Sequence, residues 1–146
     1  MEIVTKSAKE TEHAGFILAR ELKSGPASKR AMVVALYGDL GSGKTTFTKG
    51  FAKGLDLKED ILSPTFVIQK DFPVSSKNFT NFYHIDAYRL KNPEELTELG
   101  FGDIAKKPKN IIVIEWADKV EKILPKEILK IDFFNLEKGR RAIIIS

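Results

Sequence analysis

Gly38-Asp39-Leu40-Gly41-Ser42-Gly43-Lys44-Thr45 matches G-x-x-x-x-G-K-[ST] at every fixed position. The glycines admit backbone conformations closed to residues with side chains, so successive N–H groups can turn inward on a polyphosphate. Lys44 offers a point charge to the outer phosphates and Thr45 a hydroxyl to Mg²⁺. The flanks carry the match beyond coincidence. Before the loop, Ala31-Met32-Val33-Val34-Ala35-Leu36-Tyr37 is the near-continuous apolar run of a buried parallel strand. After it, Phe47, Phe51 and Leu55 recur at i, i+4, i+8, one face of a helix over 45–55. Strand, glycine loop and helix in that order set unpaired N–H groups and a partial positive charge under bound phosphates.

A length of 146 residues suits one domain, 1–146, around a single core. With 42% hydrophobic and 30% charged residues the chain reads as a soluble globular protein. No apolar run approaches the roughly 20 residues of a membrane span. Met1-Glu2-Ile3-Val4-Thr5-Lys6 lacks the pattern of a signal peptide, so a cytoplasmic location with no membrane partner is expected. Cysteine is absent, which excludes disulfides, thiol catalysis and zinc–thiolate sites. The net charge of +4 permits contact with nucleic acid or an acidic protein, but the lysines are scattered and read as solvated surface.

In chain order, residues 2–5 form a short extended segment, and Ser7-Ala8-Lys9-Glu10 a capping box that opens a helix. Ala14, Ile17, Leu18 and Leu22 give that helix its apolar face, and Ser24-Gly25-Pro26 ends it. His13 has no metal-ligand partner at useful spacing and reads as a surface residue. Ser63-Pro64-Thr65-Phe66 leads into a strand over 66–72. Thr65 stands where P-loop proteins place a segment sensitive to the γ-phosphate; a plain turn threonine satisfies the residues equally well. A second strand over 79–88 alternates, with Tyr83, Ile85 and Ala87 on one face and His84, Asp86 and Tyr88 on the other. Acidic residues are depleted in strands, which favours a role for Asp86 in orienting water, with a solvated face as the alternative. Asn92-Pro93-Glu94-Glu95-Leu96 starts a helix that Gly100 and Gly102 terminate. Lys106-Lys107-Pro108-Lys109 is a basic, solvated loop.

Ile111-Ile112-Val113-Ile114 is another buried strand and ends in Glu115-Trp116. An acidic residue directly after such a strand is how P-loop proteins hold a carboxylate near Mg²⁺, so Glu115 is the metal-side candidate and Asp86 its competitor. Trp116 covers the site or packs in the core, and core packing is the simpler expectation. The segments 128–134 and 141–145, around Asn135-Leu136-Glu137-Lys138-Gly139, predict a terminal β-hairpin. Arg140 beside that turn approaches a nucleotide if the hairpin folds back over the site; otherwise it is an ordinary exposed arginine. The prediction is an α/β, P-loop NTPase-like three-layer sandwich with a mixed central sheet and a C-terminal antiparallel hairpin.

The chain resembles the TsaE family of small bacterial P-loop ATPases, which take part in making threonylcarbamoyladenosine in tRNA. The carriers are the stretch from Leu36-Tyr37 through Thr46-Phe47, then Ser63-Pro64-Thr65-Phe66, His84-Ile85-Asp86-Ala87-Tyr88-Arg89-Leu90, Pro93-Glu94-Glu95-Leu96 and Glu98-Leu99-Gly100. Glu115-Trp116, Leu124-Pro125 and Gly139-Arg140 complete them. The resemblance implies that Asp39, Gly41, Ser42, Gly43, Lys44, Thr45 and Thr46 wrap the phosphates of ATP. It implies too that Thr45 and Glu115 hold Mg²⁺, and that Asp86 and Thr65 serve hydrolysis. By the same resemblance Arg140 reaches the nucleotide, and Ser7, matched by position alone, lies near the base. The implied partners are TsaB and TsaD, with tRNA met indirectly or transiently.

The expected activity is a slow, partner-dependent ATPase in which Lys44 and Mg²⁺ neutralise charge while Asp86 or Glu115 positions water. No residue stands out as an arginine finger, Arg89 being a candidate only. Two other classes stay open: a small-molecule kinase, though an arginine-bearing lid is hard to find, and a nucleotide-gated binding module without significant hydrolysis. A GTPase is disfavoured, since neither N-K-x-D nor D-x-x-G occurs.

Overall fold

The computed structural model describes residues 1–58 and 69–146. In chain order the elements are β1 (Glu2–Thr5), α1 (Ala8–Ser24), β2 (Met32–Tyr37), α2 (Lys44–Gly54), β3 (Gln69–Pro73) and β4 (Asn81–Asp86). They continue with α3 (Glu94–Glu98), α4 (Phe101–Lys106), β5 (Asn110–Glu115), β6 (Leu129–Asn135) and β7 (Arg141–Ile145), with 3₁₀ turns at Ala117–Ile123 and Glu137–Gly139.

The β-branched runs of β2 and β5 bury both faces, and these strands lie mid-sheet, parallel, with Leu36 beside Glu115. The seven strands run in the order β1-β7-β6-β2-β5-β4-β3. β6, β2, β5 and β4 are parallel, whereas β7 and β3 pair antiparallel to the ends of that block and β1 antiparallel to β7. One face packs Val34, Leu36, Ile111, Val113 and Ile131 against Phe47 and Phe51 of α2 and Leu18 of α1. The other packs Val33, Ala35, Ile85, Ile112 and Ile114 against Leu96 of α3 and Phe101 of α4. Each large side chain withdrawn from water contributes about 1.5–3 kcal/mol, which makes these two layers the main stabilising term. The predicted three-layer α/β arrangement, mixed sheet and terminal hairpin are all present. No helix among the described residues is long and apolar enough to cross a membrane.

Ser7 caps α1 as expected: the Glu10 N–H donates to Ser7 Oγ at 3.2 Å. The reciprocal bond is displaced by one residue, the Glu10 carboxylate accepting from the Lys6 N–H. The buried face of α1 is Thr11, Gly15, Leu18 and Ala19, while Ile17 is 43% exposed, contrary to its expected place in the core stripe. The reason is the neighbouring helix. A Cβ on Gly15 would stand 2.1 Å from the Phe47 carbonyl oxygen, and one on Gly50 1.7 Å from that of Glu12. Helices α1 and α2 therefore meet backbone to backbone, and the contact turns the glycine face of α1 inward.

Other boundaries move. Residues 66–68 of the predicted strand 66–72 lie outside the described residues; the described strand is β3. β4 is shorter than 79–88 because the Tyr88 N–H donates to Asp86 Oδ1 at 3.0 Å and that of Leu90 to the Ala87 carbonyl at 3.1 Å, which turns the chain out of the sheet. Asn92 does cap the next helix, its Oδ1 accepting the Glu95 N–H at 3.2 Å. Gly100 ends α3, but Gly102 lies inside α4 and terminates nothing.

Candidate functional site

The site forms where β2, β5 and β4 reach their carboxyl ends, the edge at which open α/β sheets gather ligands. Leaving β2 at Tyr37, the chain makes the glycine loop and enters α2 through Gly43, whose φ of 102° is left-handed. No side chain caps α2, so its first-turn N–H groups present a positive end to the loop. Lys44 is 4% exposed. Its Nζ donates to the carbonyls of Gly38 at 2.6 Å and Asp39 at 2.8 Å and to Ser42 Oγ at 3.3 Å, and lies 4.0 Å from the centre of the Trp116 ring. Burial lowers the pKa of this ammonium, against the opposing pull of Glu115, Asp118, Asp39 and Asp86.

Facing the loop, Thr45 Oγ1 donates to Glu115 Oε1 at 2.7 Å. Glu115 is 1% exposed, and its other oxygen lies 2.6 Å from Nε2 of His84, a fully buried ring. Strand register sets Asp86 directly beside Glu115. Burial of Asp86 raises its carboxyl pKa; the Tyr88 N–H opposes the rise and the Glu115 charge adds to it. A cavity of about 440 Å³ runs between these groups, with Arg89 and Arg141 at its walls.

Of the residues expected at a nucleotide site, Gly41, Ser42, Gly43, Lys44, Thr45, Thr46, Asp86 and Glu115 line this one cavity. Thr65 lies outside the described residues. Asp39 is exposed and contributes its backbone carbonyl to Lys44. Ser7 does not line this cavity: it caps α1 and lines a second cavity of about 1080 Å³ with residues of β1, α1 and α2, one helical turn before Thr11, whose Cγ2 would stand 3.3 Å from a Cβ on Gly43. Arg140 is also not brought in, being exposed with its Nε donating to the Glu137 carbonyl at 3.3 Å. The next residue takes that place, because Arg141 Nη2 donates to the Gly41 carbonyl at 3.0 Å. The pair Arg140-Arg141 at a strand start is the signal in the sequence that points there. Trp116 meets both of its expectations: it packs against the core layer of Ile112 and Ile114, and it also lines the cavity over Lys44, with the Tyr88 ring tilted against it at 5.0 Å.

A hydroxyl and a carboxylate in contact, below an uncapped helix end and beside a lysine, fit a small hard cation that keeps most of its ligands as water and phosphate. No cluster of three or more His, Cys, Asp or Glu side chains suited to a metal occurs among the described residues, so that two-ligand set is what the site offers.

Loop, helix end and flanking carboxylates at the parallel centre of a mixed sheet define a protein of the P-loop NTPase-like class. Comparison with known proteins narrows the class: a family model, "Threonylcarbamoyl adenosine biosynthesis protein TsaE", matches residues 5–143, and the chain belongs to the TsaE family. It is 35% identical to the tRNA threonylcarbamoyladenosine biosynthesis protein TsaE of Treponema pallidum, over 100% of both chains. With that of Bacillus subtilis it shares 37% identity over 87% of this chain and 73% of the relative. The crystal structure of Bacillus subtilis YdiB superposes with a TM-score of 0.74 at 31% identity, covering 99% of this chain and 83% of that one.

Proposed function

We propose that this chain binds ATP with Mg²⁺, hydrolyses it slowly, and acts in the cytoplasm in forming threonylcarbamoyladenosine on tRNA. The observation that carries the reading is the contact of Thr45 Oγ1 with Glu115 Oε1, set below the uncapped start of α2 and next to Lys44. The names of the family model and the relatives supply the process; the loop and its carboxylates supply the chemistry.

Thr45 and Glu115 would hold Mg²⁺, which brings charge neutralisation to the transferring phosphoryl group. Lys44 would turn from the Gly38 and Asp39 carbonyls toward the outer phosphates, and the amides of the loop and first turn of α2 would receive the remaining oxygens. Asp86 would orient the attacking water from the cavity wall. With Arg89 exposed and Arg141 engaged with Gly41, turnover in isolation should be low, and we assign its stimulation to TsaB and TsaD.

The test is phosphate release from ATP by the wild type and by Lys44→Ala, each alone and with TsaB and TsaD, alongside formation of the modified nucleoside. Wild-type hydrolysis should rise with the partners, and the variant should lose both readouts. Equal rates for the two proteins would overturn the assignment, and transfer of the γ-phosphate to an added acceptor would make it a kinase.

A further inference from the structure

Resting on that reading, we infer that His84 is a positioning residue that sets the orientation of the Glu115 carboxylate for the metal. His84 and Glu115 come from adjacent parallel strands, two positions out of register, since His84 pairs with Val113 and Asp86 with Glu115. Both side chains are withdrawn from solvent, at 0% and 1% exposure. An ionised carboxylate only accepts, so at 2.6 Å the His84 Nε2–H is the donor. The two oxygens of Glu115 are thereby divided: Oε2 is pinned by the imidazole, and Oε1 is left to Thr45 and to the position beside it.

The ring gives up something to do this. Among the described residues its Nδ1 is buried without a partner, a cost in stability that a leucine of similar volume would avoid for the ring itself. A histidine filling core space has no need of that sacrifice, whereas one that fixes a metal-side carboxylate does. Such outer contacts restrict the rotamer of a ligand before the ion arrives. Thr45 Oγ1, now spending its proton on Glu115, is already held where a shared ligand pair needs it.

Three substitutions separate positioning from packing. In His84→Gln the side-chain amide nitrogen reaches approximately the place of Nε2; in His84→Asn it falls short; His84→Leu fills the volume without a donor. Calorimetric binding of ATP with and without Mg²⁺, repeated with Mn²⁺ followed by its electron paramagnetic resonance, is the readout, with thermal melting as the control for folding. His84→Asn and His84→Leu should weaken the metal-dependent part of ATP binding by about tenfold to a hundredfold and leave metal-free ATP binding unchanged, whereas His84→Gln stays close to wild type. His84→Leu should still unfold cooperatively but melt below wild type, because the buried Glu115 Oε2 loses its donor. Wild-type metal dependence in the leucine variant, equal losses with and without metal, or a glutamine variant as weak as the leucine one would each overturn the inference alone. A wild type whose ATP binding is indifferent to Mg²⁺ would overturn the proposed function as well.

Discussion

At the start of β7 two adjacent arginines have different surroundings. Arg140 ends a turn and is spent on the Glu137 carbonyl, while Arg141 is the first strand residue and its guanidinium reaches across to Gly41. Strand geometry makes this an all-or-none distinction, because successive side chains leave opposite faces. The nucleotide site should feel only the second. Arg141→Ala is expected to weaken Mg²⁺-ATP binding by about tenfold, the scale of one charge-assisted hydrogen bond, and Arg140→Ala to leave it unchanged, both read by calorimetry. This is also where sequence reading meets its limit at residue scale. A motif assigns chemistry to a neighbourhood, and the face that each side chain takes follows from strand boundaries that shift by a residue. His84 is harder still, since its partner lies 31 positions away and becomes visible only through the β4–β5 register.

Among the elements, α1 and α2 carry the tightest constraint. The sequence signals for α2 are strong, namely a loop motif and a one-sided aromatic row, and its bounds agree with them to a residue. The signals for α1 rightly set Ala14, Leu18 and Leu22 on the core but misplace Ile17, since periodicity ranks it above Gly15 and does not register that the partner helix needs room for backbone. Gly50→Ala tests that contact: its Cβ would fall 1.7 Å from the Glu12 carbonyl oxygen, so the helices must separate. A loss of about 1–3 kcal/mol is expected in chemical denaturation, accompanied by weaker nucleotide binding because α2 begins at Lys44. The contrasting case is Gly102, inside α4, where a Cβ would meet nothing within 4 Å. Gly102→Ala should stabilise by about 0.5–1 kcal/mol, since a helical glycine spends backbone entropy that alanine does not. Reading Gly102 as a helix stop fails for the same reason: an exposed glycine is a modest penalty, which short helices on a packed core absorb.

Across the whole molecule, the four parallel strands form a rigid block that holds the loop after β2, Glu115 at the end of β5 and Asp86 at the end of β4 in one line. The apolar runs of β2 and β5 announce their burial, so the architecture is legible from the sequence. Strand order is not, because runs of similar composition do not say which of them become neighbours. Rigidity of this kind couples the site to global stability, as a ligand bound to the folded chain alone adds about 2.7 kcal/mol at a concentration of a hundred times its Kd. For a chain of this size each kcal/mol is worth about 2–4 °C. ATP with Mg²⁺ at that excess should therefore raise the melting temperature by about 5–10 °C in a thermal scan, ATP with a chelator by less, and Lys44→Ala should respond to neither.

The indole over Lys44 has a consequence for optical work. Trp116 is the sole tryptophan of the chain and its ring faces an ammonium 4.0 Å away. Its emission thus reports on a single place, the ammonium beside the glycine loop, with no background from other indoles. The molecule carries a built-in fluorophore at the wall of the candidate cavity, and no label needs to be attached.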